Sequence, residues 1–472
     1  MASIAIILVC AVGYFVSYYK KKQGNYTYAL FLLLISGLAL RIYCATDPYL
    51  HSWDERYHAL VAKHLLNHCF TPTLYEHPIL PFNYSNWGGN SIWLHKQPLT
   101  LWLIALSLKL FGCTPFAVRI PSILLSTIGI YLVYKIAEYL YNKSVAFYTA
   151  FLFSIHGLII ELSAGRTATD HVDLIFMFFV LCGIFCSVQY AKTGKYINVL
   201  LTGLSLGLAI LTKWLPAVII LIPFTLLTYK KHTTAKTISN LLAILIVATI
   251  IFLPWQLYIF HQFPIEAAWE YHFNQKHFVE VLEHHGGNYF YHFDILRIIY
   301  GEFIYIPVIY HTYITIKEKR QSDIIISLWF WIPMLFYTLA ATKMPAYTLI
   351  AAPAIFMITV RAFIDWKEIK INKQWQKRTV TVLAYGFILL PIRYSIERLK
   401  PFEENPNPAW NKQITAFAKS ALNTDSTIIF NCPHPAEMMF ATKCTCYEIT
   451  PDSLFIHKLK QEKYIPIILG EP

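Results

Sequence analysis

Apolar runs of about 18 residues or more recur along most of this 472-residue chain, and each is long enough to cross a hydrocarbon layer as a helix. Inside lipid every backbone N–H and C=O must find a partner within the protein, so only helices and closed barrels can span it. A barrel is excluded, because its strands are short and alternate apolar with polar residues. Composition agrees: 14% of residues are charged, where a soluble domain carries roughly a quarter. The pattern predicts an all-α polytopic membrane protein.

The net charge of +12 invites a nucleic-acid reading. The basic residues instead punctuate the apolar runs, as the cytoplasmic bias of Lys and Arg predicts, so no nucleic-acid partner is expected. The nine cysteines are scattered, some inside apolar runs (Cys10, Cys182, Cys186), and give no disulfide framework.

Residues 2–19 are apolar and are followed, not preceded, by Lys20, Lys21 and Lys22, which reads as an uncleaved anchor with its N-terminus outside. A second span, 27–45, returns outward. Further candidate spans lie near 98–112, 117–135, 145–163, 172–191, 197–213, 215–229, 238–259, 295–315, 323–341, 346–364 and 379–396. All the large basic clusters fall on the cytoplasmic side only if 98–112, the short candidate carrying Lys109, lies on the surface instead of crossing. That gives about 12 transmembrane helices, or 13 if it crosses. The expected organisation is an anchor and cytoplasmic turn (1–26), a transmembrane catalytic domain (27–398, first outer loop 46–116) and a small extracytoplasmic α/β domain (399–472). In that tail, short apolar runs at 426–431 and 464–469 flank a helix-like segment, 452–462.

Parity gathers the polar stretches 46–116, 164–171, 260–294 and 342–346 on one face. Asp54 and Glu55 stand about ten residues beyond a span, beside Tyr57 and His58, and the following residues suit an amphipathic helix on the membrane. Asp170 stands at the outer mouth of a later span; Thr169 or Asp170 capping that helix is the competing explanation. Lys96, Arg166, Lys213 and Lys343 all fall at outer span ends, against the cytoplasmic bias, and suit an anion such as phosphate. Glu270 and His272 lie in a His- and aromatic-rich outer loop fit for a sugar or headgroup, or for an interfacial belt. Cys432, His434, Cys444 and Cys446 could supply zinc ligands, although their spacing matches no established pattern. Asn83-Tyr84-Ser85 is a glycosylation sequon on the outer side. No nucleotide-binding loop is present, so a lipid-linked substrate fits better than a nucleotide-activated one.

Several motifs together resemble the GT-C glycosyltransferases, in particular the bacterial protein-mannosyltransferase-like and aminoarabinose-transferase-like group. They are Asp54-Glu55, Lys96-Gln97-Pro98, Phe111-Gly112 leading to Ala117-Val118-Arg119, Arg166 with Asp170, the stretch Gly203–Lys213, and Lys343-Met344-Pro345-Ala346-Tyr347. The resemblance implies transfer of a sugar from a polyprenyl-phosphate carrier to a lipid A, glycan or protein acceptor, at the outer face of the plasma (bacterial inner) membrane and with inversion. It implies Asp54 as the general base or acceptor-orienting carboxylate, with Glu55 and Asp170 supporting it. Asp54 and Asp170 are also the candidates for holding a divalent ion, if one is used. It further implies Lys96 on the donor phosphate, and Lys343 and Tyr347 along the carrier site. A transporter or flippase of lipid-linked saccharides is the alternative; such proteins place ionisable groups near the midplane and often show internal repeats.

Overall fold

A computed structural model describes residues 2–82, 87–400 and 405–470; the sequon at Asn83 lies outside them. Among the described residues seven helices are long and apolar enough to cross a membrane unaided: Tyr26–Cys44, Pro115–Leu140, Asp170–Thr193, Thr234–Gln262, Gln321–Leu339, Pro345–Glu368 and Gln374–Leu399. A further one counts if the pair Lys143–Ile155 and Gly157–Ser163, bent by 50°, forms one span. Ala2–Lys22 precedes them as another helix ending on the three lysines.

Several expected straight spans are broken. Region 145–163 breaks at His156, whose extended backbone ends one helix and starts the next. The buried His156 ring stacks on Tyr300 at 4.8 Å. The break frees carbonyls that water cannot reach, and the buried Arg41 guanidinium donates to one of them, Ser154 O, at 2.9 Å. Region 215–229 opens with a 3-10 segment, Leu215–Ile220, and 295–315 splits into Tyr291–Tyr300 and Tyr305–Glu318 around Gly301. At φ 110° that glycine holds a backbone conformation side chains resist. Helix Pro98–Phe111 has 14 residues, about 21 Å, which falls short of the ~30 Å hydrocarbon layer.

The C-terminal segment carries a parallel sheet of order β2-β1-β3: β1 (Thr427–Phe430), β2 (Thr445–Cys446) and β3 (Ile465–Ile468). The two apolar runs read from the sequence are β1 and β3, and helix Ser453–Gln461 between them is capped by Asp452. The helices Ala409–Phe417 and Pro435–Ala441 and strand β2 were not anticipated. This segment does not bury its apolar face alone. Ile428, Phe430 and Met439 share one core with Leu60, Leu74 and Trp93 of the loop between helices Tyr26–Cys44 and Pro98–Phe111. Tyr447 stacks on Tyr75 at 5.0 Å, and Lys63 Nζ donates to the carbonyls of Met439 (2.7 Å), Phe440 (3.0 Å) and Thr442 (2.7 Å).

Candidate active site

The acidic pair opens helix Asp54–His64, where two carboxylates in the first turn complement the helix dipole. Neighbours on a helix point about 100° apart, so the pair cannot face the same way. Glu55 turns into the bundle and is fully buried. Arg119 grips it through Nε (2.7 Å) and Nη2 (2.9 Å), and the His51 backbone N–H donates to it at 2.7 Å. The remaining Arg119 donors hold the carbonyls of Ala45, Asp47 and Tyr49. Gly165, at φ 71°, leaves the room this requires, since a Cβ there would lie 2.1 Å from Glu55 Oε1. Burial alone would raise Glu55, but Arg119 foremost, with His171 and His51, holds it well below its ordinary value.

Asp54 turns the other way, into a cavity of about 720 Å³. Lys96 Nζ lies 3.6 Å from its Oδ2, and the Thr169 N–H donates to the same oxygen at 3.0 Å. Burial pushes Asp54 up; Lys96, then His58 and His95, and the Thr169 N–H outweigh it and hold the carboxyl well below the carboxylate range. Lys96 moves the opposite way: burial lowers it, but Asp54 and the more distant Glu283 raise it above an ordinary lysine. Thr169 makes no side-chain cap to the following helix and sits at φ 64°, a left-handed conformation costly for a β-branched residue. That conformation delivers its N–H to Asp54 instead.

Lys213 ends helix Ile197–Lys213, pairs with the buried Asp173 and stands 4.6 Å over the Tyr347 ring. Tyr347 in turn stacks on Tyr337 at 4.6 Å. Glu270 accepts from His95 at 2.9 Å and from Asn274 at 3.1 Å, and His95 stacks flat on Trp87 at 4.5 Å. The Trp87 indole N–H reaches across to Glu283.

Of the residues singled out by sequence, Asp54, Tyr57, Lys96, Lys213, Glu270 and Tyr347 line this cavity. The others do not face it. Glu55, His58 and Asp170 are fully buried behind the wall, His58 Nδ1 and Asp170 Oδ1 bonded at 3.0 Å. Arg166 turns to Asp47 at 2.9 Å. Lys343 points away and caps a helix end, donating to the carbonyls of Thr338 (2.8 Å) and Ala340 (2.6 Å). His272 is exposed outside. Sequence reasoning did not single out Arg56, His95, Asp173 or Thr169 as site residues. Arg56 and Asp173 lay beside named ones and could have been found by helical spacing; Thr169 acts through its backbone and leaves no signal.

Among the described residues no group of three or more His, Cys, Asp or Glu side chains could hold a metal ion. Asp54 and Asp170 point to opposite sides of the wall, which leaves the divalent-ion arrangement unsupported. Nor do Cys432, Cys444 and Cys446 form a zinc site with His434, whose ring lies against Trp410 at 4.3 Å.

The bundle, its broken spans and the polar cavity at one end define a polytopic membrane protein with the GT-C glycosyltransferase fold. ArnT from Cupriavidus metallidurans, solved bound to undecaprenyl phosphate, superposes with a TM-score of 0.64 at 13% identity, covering 93% of this chain and 89% of that one. The Archaeoglobus fulgidus oligosaccharyltransferase gives 0.57 at 12% identity, covering 89% and 64%. Residues 95–258 match the family described as dolichyl-phosphate-mannose-protein mannosyltransferase. The chain is also similar to undecaprenyl phosphate-alpha-4-amino-4-deoxy-L-arabinose arabinosyl transferases. That of Proteus mirabilis is 26% identical over 338 residues, 68% of this chain and 59% of the relative. One from Pseudomonas fluorescens is 24% identical over 281 residues, 58% and 50%. The chain thus spans between half and three-fifths of these relatives' length. The resemblance read from the motifs is borne out.

Proposed function

We propose that this chain is a membrane glycosyltransferase that moves a sugar from a polyprenyl-phosphate carrier to a lipid A, glycan or protein acceptor of the cell envelope. The observation that carries the reading is the convergence of Asp54, Lys96, Lys213 and Tyr347 on one cavity. The names of the similar transferases, which specify an undecaprenyl phosphate donor, support the same chemistry. In this reading residues 27–398 form the catalytic unit, and the cavity and the segment 399–472 lie on the extracytoplasmic side of the plasma (bacterial inner) membrane.

The acceptor hydroxyl attacks C1 of the sugar from the face opposite the phosphate, a bond to the acceptor oxygen forms as the C1–O bond to phosphate breaks, and the anomeric centre inverts. Asp54 orients the hydroxyl and takes its proton, a contribution on the order of 10²–10⁴-fold. A carboxylate held so far down is a weak base at rest. Donor phosphate drawing on Lys96 relieves that hold, so the base strengthens when the donor is in place. Lys96 and Lys213 stabilise the charge on the departing phosphate. Glu55 and Asp170 act from behind, fixing the helix that carries Asp54. The flippase alternative is disfavoured, because these charges crowd one end of the bundle instead of its middle.

Mass spectrometry of envelope glycolipids and glycoproteins from a strain lacking the chain tests the reading. One sugar-bearing species should disappear and return with the wild-type chain but not with Asp54→Asn. Return with the variant overturns the assignment of Asp54.

A further inference from the structure

We propose that Glu437, in the C-terminal segment, is a positioning residue of the cavity that aims Arg56 at an anionic phosphate. The inference rests on the reading of the cavity as a polyprenyl-phosphate site and adds to it a third cation, supplied with its own remote support. Arg56 lines the cavity wall two residues beyond Asp54. Its Nη1 lies 3.5 Å from Glu437 Oε1, its Nη2 donates to Tyr57 Oη at 3.2 Å, and its guanidinium lies 4.8 Å over the Tyr57 ring. Its Nε is buried with no hydrogen-bond partner. A guanidinium offers five N–H donors in a rigid fork, so donors remain for a ligand.

Glu437 is only 4% exposed, and its second oxygen, Oε2, is buried without a partner. His434 also stands against it, 3.7 Å away, and Tyr57 and Cys432 are near enough to feel its charge. A buried carboxylate needs a cation, and Arg56 is the strong one within reach. The helix that carries Glu437, Pro435–Ala441, is pinned to helix Asp54–His64 by the Lys63 ammonium on its last carbonyls. The pattern repeats across the cavity: Lys96 faces Asp54, Lys213 faces Asp173, and Arg56 faces Glu437. Each cation is held by one acid and turned towards the same space. In the third case alone the acid comes from the far end of the chain.

The test is binding of undecaprenyl phosphate to the purified full-length chain in detergent, with thermal melting followed on the same samples. Glu437→Gln keeps the shape and removes the charge; it should weaken binding about 5–10-fold, roughly 1 kcal/mol or slightly more, with melting unchanged. Arg56→Glu and Glu437→Arg should each lower both binding and melting. The double swap, Arg56→Glu with Glu437→Arg, should restore melting and leave binding lost, because an acid then faces the cavity. Wild-type binding by Glu437→Gln, or recovery of binding by the double swap, overturns the proposal and leaves the pair as a structural strut. Lys96→Ala separates the two levels. If Lys96→Ala binds like the wild type, the phosphate-site reading fails and takes the inference with it. If Lys96→Ala loses binding while Glu437→Gln keeps it, the inference alone fails.

Discussion

Both ends of the helical bundle bury ionisable side chains, and they do opposite things with them. At the end away from the cavity, Tyr141 donates to the fully buried Asp323 at 2.8 Å, Arg361 pairs with Asp365 at 3.0 Å, and Tyr310 donates to Asp365 at 3.2 Å. Those groups pair with one another and join four helices, with Asp323 Oδ2 and Arg361 Nε left without hydrogen-bond partners. At the cavity end, Glu55 with Arg119 and Asp47 with Arg166 do the same work, but Asp54, Lys96, Lys213 and Arg56 keep one side turned to open space. A buried charge is therefore no sign of chemistry by itself. What marks the site is an ion pair whose partners are fixed on one side and accessible on the other.

The largest effect should come from Asp54→Asn, which keeps the shape and removes the proposed base: the proposed sugar transfer should fall by on the order of 10²–10⁴-fold while melting holds within a degree or two. An equal fall from Asp323→Asn, with its folding intact, would erase the distinction between the two ends. Next comes Glu55→Ala, which strands the Arg119 guanidinium in the interior. Removing one partner of a buried pair costs about 3–5 kcal/mol, so melting or expression in membranes should collapse, and activity with it. A Glu55→Ala protein that melts normally but is inactive would move Glu55 into the chemistry.

Acid titration sharpens the same contrast. Glu55 is depressed below its ordinary 4.5, so its stabilisation is complete above that value and is lost as pH falls through the lower folded value. Against burial, Asp47 and then Glu55 raise His51 above 6.5, so its contribution is complete below 6.5 and is lost as pH rises through the raised value. Melting should therefore be highest between these two limits, and His51→Gln should remove the alkaline decline. A decline that survives in His51→Gln would assign it elsewhere. The smallest effect is expected from Asp323→Asn, whose amide oxygen still accepts from the Tyr141 hydroxyl: transfer within about twofold of wild type, with stability lowered by about 0.5–1.5 kcal/mol as a charge-assisted hydrogen bond becomes a neutral one.

The fold was legible because lipid imposes long apolar runs, and the gathering of polar loops on one side followed from where the lysines and arginines fall. The breaks were not legible. His156 and Gly301 interrupt runs that read as continuous, and carbonyls just before the breaks, Ser154 O and Ile299 O, pair with Arg41 and His156 far along the chain. Within the site, Asp54 and Glu55 looked equivalent because adjacency in sequence conceals the turn of a helix. Arg119 stood in a recognised motif, yet its partner lies 64 residues away, and only the fold reveals that this cation is spent on Glu55. Lys343 and Arg166 shared the outer position of Lys96 and Lys213, but nearby carbonyls and Asp47 claim them first. The tail's short apolar runs identified its strands, and nothing in them disclosed that they pack against the loop carrying Leu60, Leu74 and Trp93.

That shared core also sets a timetable. The helix bearing Asp54 leaves the ribosome early, but Lys63 meets Met439 across 376 residues of chain. At roughly 5–20 residues per second, the wall of the site waits on the order of 20–75 s for its last supports to be made. Until then, Leu60, Leu74 and Trp93 have no lid, and a chaperone or a temporary lodging against the membrane surface has to shield them.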